Sequence, residues 1–281
     1  MEKSFVTRVN QTKLTKKERE IADYILNNLS YTAFLSGIQL AREINVSATL
    51  ITRFIQKLGY SKFSEFKTDL ENLYRKTITP YEVFQKFISN PDKDDILNYS
   101  IARDMQNITL MQKMIQRQSF DTAVDIIDKA KTVYLAAMFA SEAVTQIFGY
   151  HLQRLGKEPV LLSGVGLIKR LEYSDIQTDD ILICVSSQRI LREVRDAALY
   201  ASNMGVKTIA ITDSPTNPLA TVCDHSLLAP VTGSVFDYTQ AAPIAMVNAL
   251  VNTIAVKHQK RLSKEFEEIE KRWNEKNLFC T

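Results

Sequence analysis

The sequence predicts an all-α head followed by an α/β domain, the latter a five-stranded parallel, flavodoxin-like sheet flanked by helices. Three observations predict it. Over residues 14–58 the apolar residues recur at three- and four-residue spacing, the period of amphipathic helices. From Lys131 onward, five short apolar runs alternate with helical stretches, and strand-helix alternation gives parallel strands with right-handed crossovers. Gly and Pro are scarce, at 8 and 7 of 281 residues, which disfavours a loop-rich β architecture.

The bulk numbers agree. Hydrophobic residues make up 45% and charged residues 24%, as in an ordinary globular chain long enough for two domains. No run reaches 18 apolar residues, so no membrane span is expected. Met1 to Asn10 lacks the apolar centre of a secretory signal. Cys184, Cys223 and Cys280 are isolated, with neither disulfide nor metal-ligand spacing, which fits a reducing cytoplasm. Charge is uneven. Residues 1–76 carry 13 basic and 8 acidic side chains, whereas the remaining 22 basic and 24 acidic ones nearly cancel. A basic head on a near-neutral body fits a polyanionic partner.

Each helix of the head has its own start signal. Thr15 with Glu18 three residues later forms a capping-box pattern, and Ile21, Ala22, Ile25, Leu26 and Leu29 follow on one face. Ser36 caps a second helix, Gly37 to Ile44, with Ile38, Leu40, Ala41 and Ile44 as its apolar positions. Asn45 suits the left-handed conformation that ends a helix, Val46 plugs the core, and Ser47 caps the third helix. That helix, Ala48 to Leu58, stops at Gly59 and turns Ile51, Phe54 and Leu58 inward. Two capped helices joined by a four-residue turn are the pattern of a helix-turn-helix, whose second helix enters the major groove of double-stranded DNA.

The outward positions of the third helix are Ala48, Thr49, Thr52, Arg53, Gln56 and Lys57, with Ser47 at its cap. Hydroxyls, an amide and a guanidinium suit base edges and phosphates. Arg53 is the first choice for either contact; Lys57, Lys62 and Lys67 suit phosphate neutralisation. Leu50, apolar yet off the clear core face, either touches a thymine methyl or packs sideways. Periodicity alone leaves a plain three-helix bundle with a polar face open.

The head resembles RpiR-type (MurR/RpiR) regulators. The resemblance rests on Leu14-Thr15 through Ile21-Ala22-Asp23-Tyr24-Ile25-Leu26, on Ser47 with Thr52-Arg53-Phe54 and Lys57-Leu58-Gly59-Tyr60, and on Phe63-Ser64-Glu65-Phe66-Lys67. It implies operator binding. The chain departs from the family pattern at Gly37, usually apolar, at Asn45, usually Gly, and at Leu50, usually small and polar.

Residues 71–106 are mixed, with breakers at Thr79-Pro80 and over 89–95; a connecting helix from Ile96 to about Arg117 and another from Asp121 to Ala130 follow. The domains read as 1–76 for the head, 77–106 for linker and connecting helix, and 107–281 for the α/β part. The strand runs are 133–137, 159–162, 181–185, 206–211 and 225–228. In such sheets ligands bind beyond the carboxyl ends of the strands, beside helix N-termini. The informative residues are therefore Met138 to Glu142, Ser186-Ser187-Gln188-Arg189 and Thr212-Asp213-Ser214. Hydroxyls and free N–H groups there suit a phosphate, and Arg189 a bidentate grip. The alternative is that Ser141 and Ser186 merely cap helices.

Residues 107–260 resemble a SIS (sugar isomerase) domain, on Tyr150-His151-Leu152-Gln153-Arg154-Leu155-Gly156-Lys157, Ser186 with Arg192-Glu193-Val194, Gly205 through Thr212, and Asn217-Pro218-Leu219-Ala220. The resemblance implies a phosphorylated-sugar effector held near Ser141, Ser186, Ser187, Gln188 and Arg189, and a homodimer or homotetramer. The phosphate turns depart from the family. Gly-x-Gly-x-Ser reads Ala137-Met138-Phe139-Ala140-Ser141, and Ser-x-Ser-Gly-x-Thr reads Ser186-Ser187-Gln188-Arg189-Ile190-Leu191. Three readings stay open: another ligand, a grip by Arg189, or a closed domain that only oligomerises.

Candidate bases for an isomerase are Glu142, Glu193, Glu172, His151 and His225, but the sequence pairs none with an orienting group. No nucleophile elbow, Walker loop, cofactor motif or metal cluster is found, so neither a cofactor nor catalysis is expected. The chain end, Ala241 to Lys276, reads as helices with an apolar stripe from Ile244 to Ile254 and then a charged, solvated tail.

Overall fold

The computed structural model describes residues 4–77, 80–88, 95–188, 190–231 and 236–276. The chain forms two compact units, Met1–Met105 with Thr232–Thr239, and Gln106–Val231 with Gln240–Thr281.

Every regular element described in the first unit is a helix. It opens with α1 (Phe5–Gln11), which the apolar pattern does not announce. Phe5 is buried and its ring meets Phe66 edge-on at 5.6 Å. Helix α2 (Lys16–Asn27) starts with the full capping box of Thr15 and Glu18. The short α3 (Leu29–Thr32) leads to α4 (Gly37–Glu43), where Ser36 and Gln39 form a second capping box. Ile38, expected on the inner face of α4, is exposed; the buried face is narrower, and Leu40 and Ala41 carry it. Helix α5 (Ala48–Lys57) buries Ile51, Phe54 and Ile55. Helix α6 (Phe63–Thr77) closes the core with Phe66, Leu70 and Tyr74. Gly37 is explained here: a Cβ at this position would stand 3.3 Å from the Phe63 ring, so glycine lets α6 approach.

Helix α7 (Pro80–Ile88) begins on its proline, which the first turn tolerates because that N–H has no helical partner. Thr79 and most of the 89–95 breaker lie outside the described residues. Helix α8 (Ile96–Met114) follows, with Phe87 and Tyr99 in ring contact at 5.2 Å.

The second unit holds α9 (Arg117–Lys129), β1 (Thr132–Ala137), α10 (Ser141–Arg154), β2 (Glu158–Ser163), α11 (Leu167–Tyr173), β3 (Ile181–Val185), α12 (Arg192–Asn203), β4 (Lys207–Thr212) and β5 (His225–Leu228). Helices α13 (Ala241–Lys257) and α14 (Gln259–Glu275) complete it. The five strands pair in parallel in the order β2-β1-β3-β4-β5.

Successive strand residues point to opposite faces. Val133, Leu135, Ala137, Ile183 and Ile211 pack with α9, α10 and α13. Tyr134, Ala136, Leu182, Cys184 and Ala210 pack with α11 and α12. A sheet covered on both faces needs strands apolar throughout, as these are. The stripe of α13 is buried at Met246, Val247, Leu250, Val251 and Ile254, whereas α14 buries only Leu262.

Candidate functional site

Two surfaces carry chemistry. The first is α5. Ser47 Oγ accepts from the N–H of Leu50, so the recognition-type helix is capped at the end that would enter a groove. Asn45 takes φ 54°, the left-handed residue that turns α4 into α5, and the chain reverses without a glycine. Arg8, from the unannounced α1, fixes the far end: its Nη1 donates to the carbonyls of Leu58 and Gly59 at 3.1 and 2.9 Å.

Thr49, Thr52, Arg53, Gln56 and Lys57 all stand exposed along α5, with Ala48 beside them. Lys62 is exposed just beyond the helix. Their states differ. Thr52 Oγ1 donates to the carbonyl of Ala48. Lys57 Nζ lies 2.6 Å from Glu18 Oε2, an ion pair that holds the Glu18 carboxyl below its usual range. Lys67 donates to the carbonyl of Phe34 and is less available than its sequence position suggests. Leu50 resolves to its sideways alternative, half-buried against the helical core. That leaves Thr49, Arg53 and Gln56 as reaching side chains in line on one face.

The second surface is the carboxyl edge of the sheet. The chain leaves β1 toward β2 and leaves β3 toward β4, so the strand order reverses between β1 and β3. Such a reversal opens a crevice, where doubly wound sheets bind ligands. Ser141 opens α10 on the β1 side, and Ser186, Ser187 and Gln188 follow β3 on the other, so the topology brings these predicted residues to one place. Ser141 and Ser186 are buried and neither is the N-cap of its helix. Ser187 Oγ is buried with no hydrogen-bond partner among the described residues. Gln188 is buried in a left-handed conformation, φ 58°. Arg189 lies outside the described residues.

Phe139 also stays left-handed, φ 56°, although it stands where the resemblance expects glycine. The turn keeps the backbone shape that a glycine would favour and accepts the strain of a side chain, which points into solvent.

Two carboxylates cross this edge. Glu142 Oε1 accepts from the N–H of Phe139 at 3.2 Å and of Gly164 at 3.3 Å. Glu193 Oε2 accepts from the N–H of Gly166 at 2.8 Å. These residues occupy the first turns of α10 and α12, on opposite faces of the sheet. Together they tie down the loop after β2, whose Gly164 and Gly166 are left-handed with open space around them. Amides of the kind that grip an anion are thus already held by the chain's own carboxylates. The sequence marks Glu142 and Glu193 only as candidate bases. Their role as clamps depends on contacts 22 and 27 residues away. The Thr212-Asp213-Ser214 turn is closed on itself, with Asn217 Nδ2 donating to Asp213 Oδ1 at 2.7 Å and the turn buried. Among the described residues no cluster of three or more His, Cys, Asp or Glu is placed to hold a metal.

With both surfaces described, the family models decide the lineage. Residues 6–77 match the helix-turn-helix domain of the rpiR family, and residues 126–256 match the SIS domain. The chain thus joins an rpiR-family helix-turn-helix domain to a SIS domain. An HTH-type transcriptional regulator of Clostridium perfringens is 26% identical, over 80% of either chain. Another from Escherichia coli is 26% identical over 76% of either chain. Among solved structures, the sugar isomerase domain of an RpiR transcription factor from Sphaerobacter thermophilus is 29% identical. It covers 63% of this chain and 99% of its own, with a TM-score of 0.60. The Vibrio vulnificus NanR protein complexed with ManNAc-6P shares the fold along 98% of both chains, at 22% identity and a TM-score of 0.59. With an rpiR-type head, the chain is a DNA-binding regulator with a SIS-fold second domain, and no helix among its described residues is long and apolar enough to cross a membrane.

Proposed function

We propose that this regulator reads double-stranded operator DNA with α5, works as a homo-oligomer that presents paired heads, and answers a phosphorylated sugar at the β1/β3 crevice. The setting is the cytoplasm, where the operator is. The observation that carries the proposal is the exposed line of Thr49, Arg53 and Gln56 on a capped helix whose other face is core. Ser47, Thr52, Lys57 and Lys62 surround that line and are assigned to phosphates or to holding the helix. The effector would meet Ser141, Ser186, Ser187 and Gln188, with Arg189 adjacent in sequence. The Ser187 oxygen, buried and without a partner among the described residues, supports this, because such a hydroxyl is costly unless a ligand completes it. The NanR protein is solved with ManNAc-6P, which makes sugar phosphates the first ligands to try.

Signalling in this scheme is a population shift: the ligand binds one arrangement of the oligomer better and changes how the heads meet their half-sites. Catalysis is not part of the proposal. Glu142 and Glu193, the bases nearest the crevice, are committed to backbone amides rather than aimed at a reacting carbon. The same clamp supports a second reading, in which the crevice is closed to anions and the domain only oligomerises.

The test is anisotropy of labelled DNA from upstream of the protein's own gene. Arg53→Ala should weaken binding by at least about tenfold, the worth of one good base or phosphate contact. Unchanged affinity would remove Arg53 from the interface. Ser187→Ala should abolish the sugar-phosphate response and leave DNA affinity intact; loss of DNA binding would reveal a structural residue instead.

A further inference from the structure

Cys184 and Cys223 are isolated in the sequence, yet the second unit brings them together. Cys184 lies on β3, fully buried, on the sheet face covered by α11 and α12. Cys223 lies between β4 and β5 and packs half-buried against the same cluster. Its neighbours fix its place. Asp224 Oδ2 accepts from the Thr208 N–H at 2.8 Å and from the Thr208 hydroxyl at 3.0 Å. The Asp224 N–H donates back to that hydroxyl at 2.9 Å. The Cys223 N–H donates to the carbonyl of Leu219, itself core, at 3.2 Å. Thr208 stands opposite Leu182 in the β3–β4 register, and Leu182 shares its sheet face with Cys184. The Cys184 thiol is in hydrogen-bonding contact with Cys223, and neither sulfur is in a disulfide. That contact, and then burial, push the Cys184 thiol well above its ordinary range, so it keeps its proton.

A buried cysteine by itself is an inert core residue. Two in contact, one open to solvent and the other beneath it, are placed as an attacking thiol and its resolving partner. We propose that Cys223 and Cys184 form a modification site, which a hydroperoxide converts to a disulfide. Burial sets the order of events, because Cys184 has no surface for an oxidant to reach. With hydrogen peroxide, the Cys223 thiolate attacks one peroxide oxygen and the O–O bond breaks. Cys223 becomes a sulfenic acid, and the departing hydroxide takes up the Cys223 proton as water. The Cys184 sulfur then attacks the Cys223 sulfur. The S–S bond forms, the S–O bond breaks, and the hydroxyl leaves with the Cys184 proton as a second water. Two thiols are oxidised to one disulfide, and one peroxide is reduced to two waters. The bond ties the segment between β4 and β5 to the strand that ends just before Ser186.

The experiment treats the folded full chain with hydrogen peroxide and maps its tryptic peptides by mass spectrometry without reductant. The expected product is one cross-link, joining residues 171–189 to residues 208–257, which dithiothreitol reverses and which leaves Cys280 unjoined. Cys184→Ala should stop the reaction at a Cys223 sulfenic acid that dimedone traps. Cys223→Ser should leave Cys184 unmodified at the same peroxide dose. Circular dichroism checks both folds, and Cys223→Ser, at the half-buried position, carries the test if the core variant does not fold. Wild type that ends as a Cys223 sulfinic acid with no cross-link overturns the proposal, since the two sulfurs then do not meet. A cross-link that forms only in urea, or that runs to Cys280, overturns it too, as does a folded chain whose thiols peroxide leaves untouched.

Discussion

The turn between α4 and α5 and the turns after β1 and β3 solve one backbone problem with different residues. All three need a left-handed residue, and none has glycine: Asn45, Phe139 and Gln188 take φ 54°, 56° and 58°. Asn adopts this conformation readily because its short amide bonds locally. Phe and Gln do not, and each pays on the order of 1–2 kcal/mol. In the head the turn only aims α5, whose contact surface lies elsewhere, so a tolerant residue suffices. In the sheet the turns border the crevice itself, and strained residues in such places go with function.

That contrast can be broken by substitution. The largest effect is expected at the clamp. Glu142→Gln keeps an acceptor for the Phe139 and Gly164 amides but removes the charge a phosphate would face, so sugar-phosphate affinity should rise about five- to tenfold by calorimetry. A fall would mean instead that the carboxylate receives hydroxyls of the ligand. Next comes the strain. Phe139→Gly should stabilise the sheet unit by about 1 kcal/mol, the relieved strain less the entropy of the new glycine, because the exposed ring sacrifices little packing. Asn45→Gly should change the head by less than about 0.5 kcal/mol, since its strain is small. Denaturant melts of both variants compare the turns directly, and equal shifts would erase the distinction.

The smallest effect concerns Glu18. Its hydrogen bond from Lys57, and then that from the Thr15 N–H, lower its folded pKa. Its stabilisation is therefore complete above the ordinary carboxyl value and is lost as pH falls through the depressed one. Glu18→Gln should cost the head at most about 1 kcal/mol at neutral pH and flatten its stability loss below about pH 4.5. An unaltered acid limb would show that the pair contributes nothing.

What was legible in the sequence was local. Thr15 with Glu18 and Ser36 each place a helix start by their own hydrogen bonds, and the strand runs, buried on both faces, stand out as continuous apolar segments. What was hidden is non-local. The seven residues of α1 show little periodicity and are held by Phe5 against Phe66. The ion pair that occupies Lys57 spans 39 residues. Leu50 is half-buried because of where the core lies, which spacing along α5 alone did not decide. The reversal between β1 and β3 follows from the strand-helix alternation, but the carboxylate clamp beside it joins loops that only the folded sheet brings together.

The central claim is that α5 reads DNA and the crevice reads a phosphorylated sugar. Its most direct test is the affinity of the purified chain for labelled DNA from upstream of its own gene, with and without a panel of sugar phosphates. The account predicts a saturable, salt-dependent complex that at least one sugar phosphate loosens or tightens, with that response lost in Ser187→Ala. A specific complex indifferent to every member of the panel would contradict the sensing half, and the absence of any specific complex would contradict the account at its root.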